Sequence, residues 1–312
     1  MTFINFLDAL LPLYICVALG TIVARISNIS PSQLAHLLIF LFSPAVAFYG
    51  AYTAKLNTAL IMLPFIGFTL SSVMVALGLI VAKRLFTTGD GSARLGAFSI
   101  STGNTGYFGI PAVLAIMGSE SLPTVVMLSF GFTLYEYTVG YYVLQRHLQT
   151  PRDAIIRILK MPIIYGLVGG IVLNVTHVEL PDAAISVLNM MRITFSVLGM
   201  MLVGVALSGI RIAHFDIKFQ SFVHLGKFLV TPAIICSGVW LEAAMLDIFD
   251  IEARVIIVII SLVPLAANIA AFAAMFDIRT KTASLAVMIS TCLALVFLPF
   301  AMSVLYPWVS RL

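Results

Sequence analysis

The stretch "ISTGNTGYFGIPAVL", residues 100–114, sits inside an apolar run long enough to cross a membrane. Between positions 103 and 111 it holds Gly103, Asn104, Gly106, Gly109 and Pro111. Relative to alanine, glycine weakens a helix by about 1 kcal/mol and proline by about 3 kcal/mol. An asparagine amide is costly in hydrocarbon unless it is partnered. A spanning segment with its poorest helix formers at mid-depth reads as a helix built to break.

The composition supplies the setting. Of 312 residues, 61% are hydrophobic and 10% charged, against about 25% charged in a soluble domain. So few charges cannot cover a water-facing surface, and the expected fold class is an all-α integral membrane protein in the lipid bilayer. The net charge is +4, but the cations fall between apolar runs, which reads as topology control. No basic patch with interleaved aromatics is present, so no nucleic-acid partner is expected. Cys16, Cys236 and Cys292 lie within apolar runs and form neither a disulfide framework nor a metal-binding spacing. No Lys or Arg precedes Arg25, so the first apolar run lacks a signal peptide's basic region and is expected to be a retained helix.

A helix needs about 20 mostly apolar residues to cross the hydrocarbon core. The sequence predicts ten spans, near 5–26, 32–53, 58–83, 94–117, 123–146, 156–177, 183–209, 218–243, 253–276 and 283–308. Turn signals separate them: "NISP" ending at Pro31, "TTGDGS" at 87–92, "GSESLP" ending at Pro123 and "VELP" ending at Pro181. With the N-terminus outside, the inward links carry Arg25, Lys83, Arg84, Arg94, Arg146, Arg152, Arg157, Lys160, Arg211, Lys218, Arg279 and Lys281. The outward side carries Lys55, Arg254 and Arg311. Twelve against three predicts a multi-pass protein of the cytoplasmic membrane with both termini outside.

Shifting the second half back by 150 residues lays Pro162 on Pro12, Gly170 on Gly20 and Pro181 on Pro31, and aligns "MPIIYGLVGGIVL" with "LPLYICVALGTIV". Further on the register drifts, yet Pro64 in the third span still matches Pro232 in the eighth, and Pro111 in the fourth matches Pro264 in the ninth. The expected organisation is a five-helix repeat over 1–150 and a second over 151–312. An odd number of spans forces the second copy to enter from the opposite side, giving an inverted repeat. Secondary transporters of this layout bind substrate near the midplane, where corresponding helices are interrupted. Here those are spans four and nine, "SISTGNTGYFGIPAVLAIMG" and "IISLVPLAANIAAFAAMF".

A break frees N–H groups on one half-helix and carbonyls on the other. In lipid these must be met by protein, water or ligand. The N-terminal end of a half-helix suits a carboxylate. Gly103, Gly106 and Gly109 recur every third residue, and Ala266, Ala270, Ala273 and Ala274 form a small-residue face, so the two broken spans are expected to cross closely. The candidate substrate-binding residues are Gly103, Asn104, Thr105, Gly109 and Pro111, with Pro264 and Asn268 across the crossing. Two plainer readings stand beside this one. Asn104 is also a cap for the following half-helix, and proline kinks in spans often serve packing alone.

The combination of "GNTGYFGIP" in the fourth span with "ALGTIVARISNISP", "FLFSPAVAF", "LVGVALSG" and "GKFLVTP" resembles the auxin efflux carrier family, whose bacterial members include malate- and malonate-permease-like proteins. The resemblance runs over nearly the whole chain. It implies a ten-helix fold with two crossed, broken helices, shared with bile-acid-sodium-symporter-like proteins. It further implies a scaffold from spans one, two, six and seven, and a moving transport domain from spans three to five and eight to ten, with elevator-type alternating access. By motif position, Asn104, Gly109 and Pro111 would line the site, with Pro264 and Asn268 opposite. Related elevator proteins make a homodimer plausible. The plant carriers have a long hydrophilic loop between spans five and six, whereas this link is the short "HLQTPRDAII", so regulation through such a loop is not expected here.

Three ionisable residues within spans are candidates for coupling or charge. Glu136 lies mid-span in "LYEYTVGYY", and an ionisable group at membrane depth is a functional candidate by default. It would carry a proton or cation, or serve as a carboxylic acid bonded to a neighbour. Lys227 would pair with Glu136, attract an anion or snorkel to the interface. Arg192 would draw anions toward the crossing or pair structurally. Tyr14, Tyr107 and Tyr165 are candidate substrate contacts or interface anchors, and Tyr107 is set apart because it lies within the break. His36 and His224 show no metal-ligand spacing, and neither a metal nor a cofactor is expected beyond coupling to protons or sodium. An intramembrane hydrolase would need two apposed acids or a serine with its base; neither pattern is present, so no catalytic residue is expected. The sequence therefore reads as a secondary transporter of a small organic anion, a mono- or dicarboxylate. A channel-like or non-transporting sensor protein of the same fold is the alternative.

Overall fold

The computed structural model describes residues 2–27, 29, 31–86, 89–145, 151–208 and 215–312. Every regular element among them is helical. Three long helices lead: α1 (Phe3–Ile26), α2 (Pro31–Tyr52) and α3 (Thr58–Leu85). An interrupted pair follows, α4 (Ser92–Ser101) and α5 (Ile110–Met117), and then α6 (Leu122–Tyr135). The second half runs through α7 (Pro151–Leu159), α8 (Pro162–Val175), α9 (Asp182–Ser208) and α10 (Ile217–Met245). A second interrupted pair, α11 (Ile251–Ser261) and α12 (Asn268–Met275), precedes the long α13 (Thr280–Val309).

Among the described residues six helices are long and apolar enough to cross a bilayer: α1, α2, α3, α9, α10 and α13. Their outer faces expose Ile4, Phe40, Phe65, Met190, Leu229 and Val296. Apolar exposure spread over every long helix suits lipid, not water, and the protein is membrane-embedded. With no water to bond the backbone, a helix is the structure that satisfies it internally.

The structure departs from the predicted spans at the sixth. The run expected as one helix near 156–177 is split: α7 ends at Leu159, Met161 is extended (φ −83°, ψ 119°), and α8 starts at Pro162. Proline lacks an N–H and disfavours a helical predecessor. The segment before it is tolerant of the break because Arg152, Asp153 and Lys160 are exposed, where freed carbonyls can be hydrated. The aligned Pro12 instead lies within the continuous α1. Of the expected short link "HLQTPRDAII", residues 147–150 lie outside the described residues, as do the inward cations Arg146 and Arg211.

The helices pack in close pairs. α1 runs along α9 and α2 along α8, while α3 runs along α4 and α6. Glycines set the closeness of the first two pairs. A Cβ on Gly20 would stand 2.1 Å from the Met201 carbonyl oxygen, on Gly204 2.0 Å from that of Val17, on Gly166 2.1 Å from that of Pro44, and on Gly170 2.3 Å from that of Phe48. Side chains reinforce both pairs: Thr21 Oγ1 donates to the Gly204 carbonyl (3.0 Å), and Asn174 Nδ2 donates to the carbonyls of Tyr52 and Ala54 (2.7 Å each). Several cations of the predicted inward face terminate helices. Lys218 Nζ donates to the Leu85 carbonyl (2.6 Å), and Arg94 donates to that of Leu144 (2.9 Å). Arg279 pairs with Asp216 (2.6 Å) and donates to Ser92 Oγ (2.8 Å), joining the starts of α4, α10 and α13.

Candidate functional site

The first break begins where α4 ends at Ser101 and Thr102 turns extended (φ −111°, ψ 146°). Asn104 adopts φ −73°, ψ 63°, and the Thr105 N–H donates to the Gly103 carbonyl (2.7 Å), an inverse γ-turn. The Asn104 side chain then starts the next segment. Its Oδ1 accepts from the Tyr107 N–H (3.2 Å), and its carbonyl accepts from the Gly109 N–H (2.8 Å). A widened helical turn, Thr105–Gly109, leads into α5 with Pro111 in the first turn, where its missing N–H leaves nothing unsatisfied.

The second break spans Leu262 to Ala267, between α11 and α12. Pro264 has no N–H to continue the helix. The Leu265 N–H is met by Ser290 Oγ on α13 (3.1 Å). The N–H groups of Ala266, Ala267 and Asn268 donate to no acceptor among the described residues, and neither does that of Gly106 in the first break.

The breaks touch. The Asn104 N–H donates to the Pro264 carbonyl (2.8 Å). A Cβ on Gly103 would stand 2.8 Å from Val263 Cγ2, and one on Gly109 2.8 Å from Ile260 Cδ1. Glycine is what lets the two strands of broken backbone meet at this distance.

A cavity of about 490 Å³ opens beside the crossing. One wall is Gly103 to Tyr107 and Ala266 to Asn268, with Ser129, Thr133 and Glu136 from α6 and its continuation. The facing wall comes from Ile39, Phe40 and Ser43 of α2, Lys160 to Ile163 and Phe195 of α9. Glu136 is 6% exposed and accepts a hydrogen bond from Asn268 Nδ2 (3.2 Å). It heads a π-bulge, Glu136–Gly140, a helix irregularity frequent at functional sites. Asn104 Nδ2 and Ser129 Oγ make no hydrogen bond among the described residues. The cavity therefore offers amide and hydroxyl donors from two helix starts, one carboxyl, and apolar walls.

Of the candidate residues, Gly103, Asn104, Thr105, Asn268 and Glu136 line this cavity. Gly109 and Pro111 are buried behind the lining, and Pro264 meets the crossing through its carbonyl. Lys227 neither lines the cavity nor snorkels. It is 3% exposed and stands against Gly103 from behind. Arg192 lies in a separate cavity of about 620 Å³, with Lys55, Glu120 and Glu252, and donates twice to Asn189 Oδ1 (2.7 and 3.1 Å). Tyr107 sits in the break with its ring 6.0 Å from that of Phe195.

Sequence reasoning passed over Ser129, Thr133, Phe195 and Lys160. A signal existed for the first two: with Glu136 they follow the i, i+4, i+7 spacing of one helix face. Phe195 and Lys160 reach the cavity only through packing between distant helices. No protein-family model matches this chain, and no curated protein matches it.

Proposed function

We propose that this chain is a secondary transporter that moves a small organic anion, a mono- or dicarboxylate, across the cytoplasmic membrane by elevator-type alternating access. The observation that carries this reading is the meeting of two interrupted helices at a cavity lined by their unpartnered N–H groups. Gly106, Ala266, Ala267 and Asn268 all line it, and helix starts with free N–H groups favour a carboxylate. Asn104 Nδ2 adds a donor from the opposite break.

In this reading α4 with α5, α6 with its continuation to Leu144, α8, and α11 with α12 are the further crossings that complete ten spans. An inverted repeat is supported by the pairing of helices. Exchanging the halves converts the α1–α9 pair into the α8–α2 pair, and the aligned Gly20 and Gly170 each meet a backbone carbonyl. α1, α2, α8 and α9 then act as the scaffold, and α3 to α6 with α10 to α13 as the moving domain. The cavity lies between these groups and includes Lys160, from the cation-rich end, in its lining, which fits an inward-facing carrier. Glu136, bonded to Asn268 beside the anion, is the coupling group. The motif "GNTGYFGIP" supports kinship with the auxin efflux carriers.

The test is counterflow in proteoliposomes loaded with mono- and dicarboxylates. Saturable uptake of labelled carboxylate, accelerated by internal carboxylate, is expected. Linear, unsaturable flux would replace the carrier with a channel.

A further inference from the structure

Two cations are buried among the described residues, Arg254 and Lys227. Arg254 is held by Glu242 (2.9 Å), Asp247 (2.6 Å) and the Leu312 carbonyl (3.0 Å). Lys227 makes no hydrogen bond and no ion pair within 4.0 Å among the described residues, although its charge interacts at longer range with the buried Glu136. Burying an ammonium without a direct partner is costly, and Glu136 offsets it only from beyond ion-pair distance, so nearer groups must contribute.

Its position is set by a π-bulge in α10, Gly226–Val230. Gly226 lies against Ile100 of α4, and Thr231 Oγ1 donates to the Ile100 carbonyl (3.3 Å). α10 thus runs beside the last turn of α4, and the Lys227 side chain reaches past it to the break. A Cβ on Gly103 would stand 2.9 Å from Lys227 Nζ. The last carbonyls of a helix carry partial negative charge. At this end the hydroxyls of Ser101, Thr102 and Thr231 supply donors to the carbonyls of Phe98, Ser99 and Ile100. The carbonyls of Ser101 and Thr102 accept none among the described residues. The ammonium stands beside the Gly103 backbone that follows this carbonyl end, without a hydrogen bond to it, and is not part of the cavity lining.

Carriers with broken helices commonly use such half-helix carbonyl ends to coordinate a coupling sodium ion. Resting on the transporter reading above, we propose that Lys227 is a built-in cation at the carbonyl end of α4. It occupies the place sodium would take and holds the break in its binding geometry without an imported metal ion. Lys227 is then a positioning residue acting through the backbone at Gly103, and transport by this chain proceeds without sodium.

The experiment compares thermal unfolding of the purified protein in sodium chloride and choline chloride at equal ionic strength, for the parent, Lys227→Ala and Lys227→Arg. The parent is expected to unfold at the same temperature in both salts. Lys227→Ala is expected to unfold several degrees lower in choline and to be raised saturably by sodium, because the emptied carbonyl end now accepts it. Lys227→Arg is expected to remain sodium-insensitive. Selective stabilisation of the parent by sodium, or a Lys227→Ala protein indifferent to it, overturns the proposal. Should Lys227→Ala fail to fold, parent uptake in proteoliposomes decides: equal initial rates in sodium and choline are expected, and a sodium requirement overturns it. Absence of carboxylate uptake in either salt would instead overturn the transporter reading, while the unfolding comparison still reports on Lys227.

Discussion

Replacing Asn104 by aspartate keeps the oxygen that caps the Tyr107 N–H and removes the amide nitrogen that has no protein partner. Aspartate and asparagine are equivalent N-caps, whereas alanine at such a position costs about 1 kcal/mol. Asn104→Asp keeps the cap but buries an acid at a site 6% exposed, and Asn104→Ala loses the cap, so both are expected to unfold below the parent. Binding should distinguish the variants. A hydrogen bond to a charged group contributes about 1.5–3 kcal/mol, which is roughly 10- to 150-fold in Kd. Asn104→Ala should weaken carboxylate binding by that factor. Asn104→Asp should weaken it further, because it also places an acceptor where the anion sits. Thermal shift against a carboxylate series and the half-saturation of counterflow measure both quantities on the same samples. An Asn104→Asp protein that binds carboxylate as tightly as the parent refutes the contact and leaves Asn104 as a cap alone.

Three further outcomes are expected. Glu136→Gln should abolish accumulation driven by an imposed pH gradient in proteoliposomes while counterflow at equal pH persists; retained gradient-driven accumulation would move coupling elsewhere. At Asp216, partial burial pushes the carboxyl up, but hydrogen bonds from the Phe219 N–H and Arg279 outweigh it and hold it below the ordinary aspartate range. A carboxyl held low stabilises the folded state at higher pH and loses that contribution as pH falls through its folded value. Asp216→Asn should thus cost under about 1 kcal/mol at neutral pH, with the difference from the parent fading below about pH 4; a pH-independent difference in unfolding temperature would exclude the ion pair as its source. Gly170→Ala should destabilise by about 1–3 kcal/mol, since the new methyl would stand 2.3 Å from the Phe48 carbonyl oxygen; unfolding at the parent temperature would show that α2 and α8 are not tightly clamped.

The long helices were legible because length and apolarity alone decide them, and the breaks because Gly103, Pro111 and Pro264 each announce a local backbone rule. The split before Pro162 obeys the same rule and was hidden by the apolar run around it. What neither composition nor spacing carries is the partner of each freed group. That Ser290 on α13 meets the Leu265 N–H, and that Pro264 meets Asn104, depends on packing between segments far apart in the chain. The π-bulges at Glu136 and Gly226 were equally hidden, because a shift of one hydrogen bond within a helix leaves no mark on apolar pattern. They rotate Glu136 and Lys227 relative to what an even helix would give.

The glycine contacts also have a mechanical meaning. In the α1–α9 and α2–α8 pairs Gly20, Gly204, Gly166 and Gly170 are notches, each holding a carbonyl tooth at 2.0–2.3 Å from where a Cβ would stand, and a tooth in a notch resists sliding. Where α9 faces the first break the approach is looser. There, a Cβ on Gly199 would stand 3.3 Å from the Tyr107 carbonyl oxygen, and one on Gly106 would meet nothing within 4 Å. Friction is thus unevenly distributed through the molecule: the α1–α9 and α2–α8 pairs are geared together, and α9 meets the first break more loosely.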